Sequence, residues 1–83
     1  MSKSYYVYLI VSKRNTKLVS YVGYTDNVSK RIKMHNLGKG AKFTKGNLWS
    51  LVYKKRYNTK SLAMKEEYIL KKNSLLRKQI KWV

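Results

Sequence analysis

The chain has 83 residues, 20 of them Lys or Arg and three Asp or Glu, for a formal charge of +17 and a pI near 10.3. A chain of this length is expected to form a single domain over residues 1–83, and it has no room for a two-domain enzyme with a large enclosed pocket. Hydrophobic residues, at 43%, are too many for a disordered basic tail, and the charge calls for a polyanion or counterions nearby, the commonest such partner being nucleic acid, whose neutralised phosphates release counterions.

The start, Met-Ser-Lys-Ser-Tyr, runs straight into strand-like sequence. No signal peptide is read there, and a cytoplasmic location is expected. Residues 5–11, Tyr-Tyr-Val-Tyr-Leu-Ile-Val, are β-branched and aromatic throughout and predict a strand. Tyr6, Tyr8 and Ile10 point to one face, and Tyr5, Val7, Leu9 and Val11 to the other. Both faces are largely apolar, so this strand is expected at the centre of a sheet. Ser12 to Lys17, with Asn15 and Thr16, suits a hairpin turn. Residues 18–24 form the second strand, and Gly23 near its end suggests close approach of backbone or ligand.

Asp26 or Asn27 is expected to cap a first helix, whose inner face carries Val28, Ile32 and His35 with Leu37 just beyond. Gly38 is a natural stop. Asn36 to Gly46 reads as loop. Residues 48–57 predict a third strand, firm to Tyr53 and frayed afterwards. Thr59 or Ser61 opens a second helix with apolar positions Leu62, Met64, Tyr68, Ile69 and Leu70, closed by Lys71 and Lys72. Ser74 is expected to cap a short third helix carrying Leu75, Leu76 and Ile80, with Trp82 near its end. The order β-β-α-β-α-α predicts an α+β fold, a three-stranded antiparallel sheet flanked by helices.

No apolar run approaches the ~20 residues of a membrane span. A membrane surface is disfavoured as well, because the basic residues are spread over every element and the apolar faces are needed for the core. Cysteine is absent, so there are no disulfide partners and no thiolate ligands. The single histidine, His35, excludes a multi-histidine zinc site. Asp26, Glu66 and Glu67 are the only acids, too few for the carboxylate cage of a two-metal nuclease.

Tyr8 and Tyr21 occupy opposite arms of the hairpin and are expected on one face, beside surface that Gly23 leaves uncovered. Plain packing of strand aromatics is the competing reading. Arg31 and His35 stack four apart along the first helix. A solvated basic face and a histidine favouring the helix dipole are the simpler readings of these two. Glu66 and Glu67 diverge by about 100°, so only one of them can face a given site. Glu67 can pair with Lys71, or can hold a divalent cation together with phosphate oxygens and water. In the loop, glycines open the backbone to phosphates, Lys39, Lys42 and Lys45 recur every third residue, and Phe43 can stack on a base.

In order, Tyr6-Val7-Tyr8, Tyr21-Val22-Gly23, Arg31, His35 and a helical glutamate resemble the GIY-YIG nuclease family. The stretch Tyr-Val-Gly-Tyr-Thr-Asp-Asn-Val-Ser-Lys-Arg-Ile-Lys-Met-His-Asn-Leu-Gly-Lys-Gly-Ala-Lys-Phe-Thr-Lys-Gly looks particularly like the short, stand-alone bacterial members. The resemblance runs from Tyr5 to about Ile80. It implies that Tyr8 acts as, or relays to, the general base, and that Tyr21 orients the scissile phosphate or water. It implies that Arg31 stabilises phosphate charge, that His35 assists phosphate binding or proton transfer, and that Glu67, preceded by Ser61-Leu62-Ala63-Met64, binds one Mg²⁺ or Mn²⁺. Tyr6 stands where the family has glycine, and Asn73 follows Glu67 too soon to serve as the late asparagine of larger members.

The expectation is a metal-dependent DNA endonuclease of low sequence specificity, monomeric, acting on single-stranded, branched or damaged DNA. DNA is favoured over RNA, and the nucleic-acid contacts are assigned to Tyr6, Gly23, Lys30, Lys39, Lys42 and Lys45. Arg31, the metal and the positive field are expected to lower the Tyr8 pKa. The rivals are a non-catalytic DNA- or RNA-binding module and a basic ribosome-associated protein. The hydrolase reading requires Glu67 to face the site rather than bulk solvent.

Overall fold

A computed structural model describes residues 3–14 and 17–81. The expected turn residues Asn15 and Thr16, and Trp82, lie outside the described residues. The elements are β1 (Tyr5–Arg14), β2 (Lys17–Thr25), α1 (Val28–Asn36), β3 (Ser50–Tyr57), α2 (Lys60–Lys72) and α3 (Ser74–Lys81). The strands form one antiparallel sheet in the order β2-β1-β3, so β1 is central, as its two apolar faces require.

The alternation of β1 divides the core into two layers. Val7 and Leu9 pack with Val22, Ala63 and Leu70 under α2, with Tyr5, Tyr24, Tyr53, Tyr57 and Ile80 around them. Tyr8 and Ile10 pack with Trp49 on the other face, where Val19, Tyr21 and Ile32 close the cluster. Val7, Tyr8, Leu9 and Ile10 are all at most 1% exposed.

Several local expectations resolve or change. Asn27 caps α1, its Oδ1 accepting from the Lys30 N–H at 3.1 Å. On α1, Val28 and His35 are buried and Ile32 joins the core, while Leu37 is exposed. The third strand begins at Ser50, because the Trp49 backbone is already held by Asn36: its N–H donates to Asn36 Oδ1 at 2.6 Å, and its carbonyl accepts from Asn36 Nδ2 at 3.3 Å. The strand does not fray after Tyr53 but pairs out to Tyr57 opposite Tyr5. Its cationic stretch, Lys54 to Arg56, is tolerated because β3 is an edge strand with these side chains in water. Tyr53 faces Leu9 and Leu51 faces Ile10, so Val52 is the extra residue of a bulge.

Thr59, not Ser61, caps α2. Only Ala63 and Leu70 of this helix are buried, and Leu62, Met64, Tyr68 and Ile69 are exposed. The apolar residues of α2 are more numerous than the narrow face it lays on the sheet. Asn73, not Ser74, caps α3, its Oδ1 accepting from the Leu76 N–H at 3.0 Å. The Arg77 guanidinium folds back to donate to the carbonyls of Leu70 and Lys71, which satisfies the open end of α2.

Candidate active site

Across the hairpin Tyr8 lies opposite Gly23, and Tyr21 lies opposite Ile10. The two phenols therefore share a face as diagonal neighbours. A β-carbon at position 23 would overlap the Tyr8 hydroxyl and ring. Gly23 is buried, and the space left by its missing side chain is filled by the Tyr8 ring rather than left as open surface. The glycine shapes the site through Tyr8.

His35, in the last turn of α1, is fully buried. Its Nε2 lies 2.8 Å from the Tyr8 hydroxyl and its Nδ1 lies 2.8 Å from Thr44 Oγ1. The Thr44 hydroxyl donates to the Ala41 carbonyl at 2.9 Å. A hydroxyl has one proton, so Thr44 can only accept from His35 Nδ1–H, and Nε2 is then the acceptor for the Tyr8 O–H. The bonds run one way, from Tyr8 through His35 and Thr44 to the Ala41 backbone. Burial, reinforced by the charge of Arg31, holds the His35 pKa below its ordinary value, as a neutral ring with this tautomer requires. The dipole reading of His35 thus gives way to a buried, doubly bonded imidazole. Gly40 accommodates it, since a β-carbon there would overlap the His35 ring.

Arg31 acts on the Tyr8 phenol by hydrogen bonding and by charge, both of which favour the phenolate. Burial is the larger effect, and it raises the phenol above its ordinary value near 10. In the chain alone the expected lowering is therefore reversed, because a ring this deeply buried loses more solvation than one guanidinium restores. Arg31 Nη2 donates to the Gly40 carbonyl at 3.2 Å. Its Nε is buried with no hydrogen-bond partner among the described residues. Arg31 also lines an open cavity of about 400 Å³ together with Lys3, Tyr5, Tyr24, Thr25, Asp26 and Lys60. Lys3 pairs with Asp26 at 3.0 Å on the exposed rim.

Glu67 follows Ala63 and precedes Leu70 at i+4 and i+7 spacing, on the α2 face laid against the sheet. Its side chain is only 19% exposed and stands 3.8 Å from Lys71 Nζ, and its charge reaches the Tyr8 phenol. Glu66 turns elsewhere: it lines a cavity with Val7, Tyr53 and Tyr57, and its charge acts on those two tyrosines. The neighbouring carboxylates diverge as helical geometry demands. No group of three or more His, Cys, Asp or Glu that could hold a metal occurs among the described residues. A single carboxylate does suit a small hard cation that keeps several waters and takes phosphate oxygens. Glu67 is sheltered and only loosely paired, and it fits an ion of that kind.

Tyr6 is half-buried beside a hollow formed with Asp26, Asn27, Val28, Ser29 and Lys54 at the start of α1. Lys30 borders a second hollow that reaches Arg31. Lys39, Lys42 and Lys45 are exposed along the turn-rich segment between α1 and β3. Tyr21 is half-buried, its ring edge-on to His35 with centroids 5.1 Å apart.

The structure thus brings Tyr8, Tyr21, Arg31 and His35 together, with Glu67 arriving from the opposite layer. Thr44, Tyr24 and Lys60 were not singled out by sequence. Thr44 sits nine residues beyond His35 in a segment without periodicity, and no spacing rule places Lys60 beside Arg31.

A β2-β1-β3 sheet with paired tyrosines, an arginine and histidine on the first helix and one sheltered glutamate makes a small α+β domain. The GIY-YIG catalytic domain model matches residues 4–79, and the chain belongs to that family. The UPF0213 protein OB0043 of Oceanobacillus iheyensis is 44% identical over 72 residues, 86% of this chain and 80% of the relative. The UPF0213 protein SH2523 of Staphylococcus haemolyticus is 47% identical over 68 residues, 81% of this chain and 79% of the relative. The solution NMR structure of the UPF0213 protein BH0048 from Bacillus halodurans is 39% identical, covers 92% of this chain and 79% of that one, and superposes with a TM-score of 0.49.

Proposed function

We propose that the chain hydrolyses phosphodiester bonds in DNA with low sequence specificity, as a cytoplasmic, single-domain monomer using one Mg²⁺ or Mn²⁺ held by Glu67. The observation that carries this reading is the directed hydrogen-bond chain that starts at the Tyr8 phenol and runs through His35 and Thr44, with Arg31 beside the phenol.

Tyr8 is 1% exposed, so it cannot touch a phosphate directly in the free chain. The more accessible Tyr21 is the phenol that meets the scissile phosphate or the attacking water, and Tyr8 serves as the proton relay behind it. His35 Nε2 takes the Tyr8 proton, and Thr44 keeps that nitrogen free to do so. Proton transfer to His35 is unfavourable in the free chain, since burial and Arg31 both oppose an imidazolium. An arriving phosphate supplies the negative charge that offsets both. Arg31 then stabilises charge accumulating on the phosphoryl oxygens. A divalent ion at Glu67, when bound, supplies Lewis-acid charge to the departing oxygen. Lys30, Lys39, Lys42 and Lys45 grip neighbouring phosphates without reading bases.

The test is cleavage of nicked, single-stranded and branched DNA with Mg²⁺ or Mn²⁺. Arg31→Ala and Glu67→Ala are each expected to lower the rate by 100-fold or more, while DNA binding measured in EDTA changes less than about fivefold. Equal rates for wild type and both variants would sink the proposed site. Binding without any cleavage by the wild type would favour the non-catalytic module.

A further inference from the structure

We infer that Phe43 is a stacking platform for an unpaired DNA base, so that the chain prefers a strand outside a duplex beside the cleaved bond. This rests on the DNA reading above and names its substrate class. Phe43 is 53% exposed, whereas the other site aromatics are buried or half-buried. One side of its ring lies along Tyr21, with centroids 6.2 Å apart and planes inclined by 21°. Trp49 makes a second, tilted contact with the ring, centroids 6.3 Å apart and planes inclined by 45°. About half of the residue is left to water.

The ring is held on a fixed mount. Trp49 is buried, its Nε1 donates to the carbonyl of Thr44, next in the chain to Phe43, and its backbone is held by Asn36. Thr44 is in turn tied to Ala41 and His35. An apolar ring kept rigid and half in water therefore forms a step that continues the Tyr21 ring outward from the proposed reaction centre. Lys42 adjoins it and Lys45 follows two residues later, both exposed, and both suit the backbone of a strand whose base lies on that step.

Every nucleobase has a π-face, so such a step is tolerant of sequence. A base within a duplex has both faces covered by its neighbours and cannot use it. Only an unpaired or extruded nucleotide can. The directly preceding contact, Phe43 on Tyr21, places that nucleotide adjacent to the phosphate that Tyr21 would meet.

The experiment uses the whole chain in EDTA, with two DNAs of equal phosphate number at one salt concentration. One is a blunt duplex; the other is a duplex ending in a single-stranded extension that carries 2-aminopurine. The wild type should bind the extended DNA about tenfold more tightly and quench the fluorophore. Phe43→Ala should abolish the quenching and bring the extended DNA to the blunt-duplex affinity, Phe43→Trp should restore both, and Phe43→Leu, which keeps an apolar plug without a π-face, should restore neither. Undiminished quenching in Phe43→Ala, or full recovery in Phe43→Leu, overturns the proposal. Because the readout needs no turnover, stacking can hold where cleavage fails, and cleavage can hold where stacking fails.

Discussion

Thr44 gives His35 its chemistry. By spending its one proton on the Ala41 carbonyl, it obliges His35 to donate from Nδ1 and accept at Nε2. The ring is buried and its pKa is depressed below the ordinary value near 6.5, so protonation is easier in the unfolded chain than in the folded one. The stability linked to His35 is therefore fully present above about pH 6.5 and is lost as the pH falls below it. As the only histidine, His35 is the one side chain with an ordinary pKa in this window; Asp26, depressed by Lys3, enters only near pH 4 and below. Urea titrations from pH 7.5 to 5 should show the midpoint falling for the wild type and staying nearly level for His35→Gln. A level profile in both would mean that His35 is not held neutral.

At the scale of elements, caps and tethers decide where the site residues stand. Asn73 serves twice: its backbone N–H closes α2 on the carbonyls of Ile69 and Leu70, and its side chain opens α3. Its replacement by Ala leaves the first role and removes the second. Loss of about 1 kcal/mol is expected, with DNA cleavage unaffected because α3 carries none of the site. Asn36 is different. Its side chain holds both polar groups of the Trp49 backbone, and so it anchors the segment that carries Thr44 and Phe43. Asn36→Ala should lower stability by about 1 kcal/mol, through two part-buried backbone groups left without their partner, and should lower cleavage as well. Chemical denaturation and rate measurements on the two variants separate a purely structural asparagine from one that also positions the site. An unimpaired Asn36→Ala would show that the segment is held by Trp49 and Thr44 alone.

Over the whole molecule the +17 charge dominates. The cations repel one another across a small body, and they await an anionic partner. Added salt should therefore act in opposite directions on two measurements. The melting temperature of the free chain should rise between 50 and 300 mM NaCl as the repulsion is screened. DNA affinity should fall over the same range, with a log–log slope of about −0.9 per phosphate neutralised on duplex and about −0.7 on single strands. Lys39→Ala with Lys42→Ala should make the slope shallower by about two of these increments, equally for all sequences. A slope unchanged by that double substitution would take the loop out of the phosphate grip.

The sequence by itself determined the element order, the central place of β1 and the cationic character, since strand periodicity, capping side chains and net charge are properties of neighbours along the chain. It also carried the resemblance, because the tyrosine triplets, Arg31 and His35 keep fixed spacings. What only the tertiary structure decided depends on residues brought together from different elements. The Tyr8 ring fills the space above Gly23, Thr44 sets the tautomer of His35, Lys60 joins the cavity of Arg31, and burial outweighs a guanidinium in raising the Tyr8 pKa. The broad apolar run of α2 could not reveal that Ala63 and Leu70 alone would be buried, because the width of a helix's contact is set by the sheet beneath it. Desolvation and hydrogen-bond direction are likewise properties of a packed neighbourhood in space, which linear spacing does not encode.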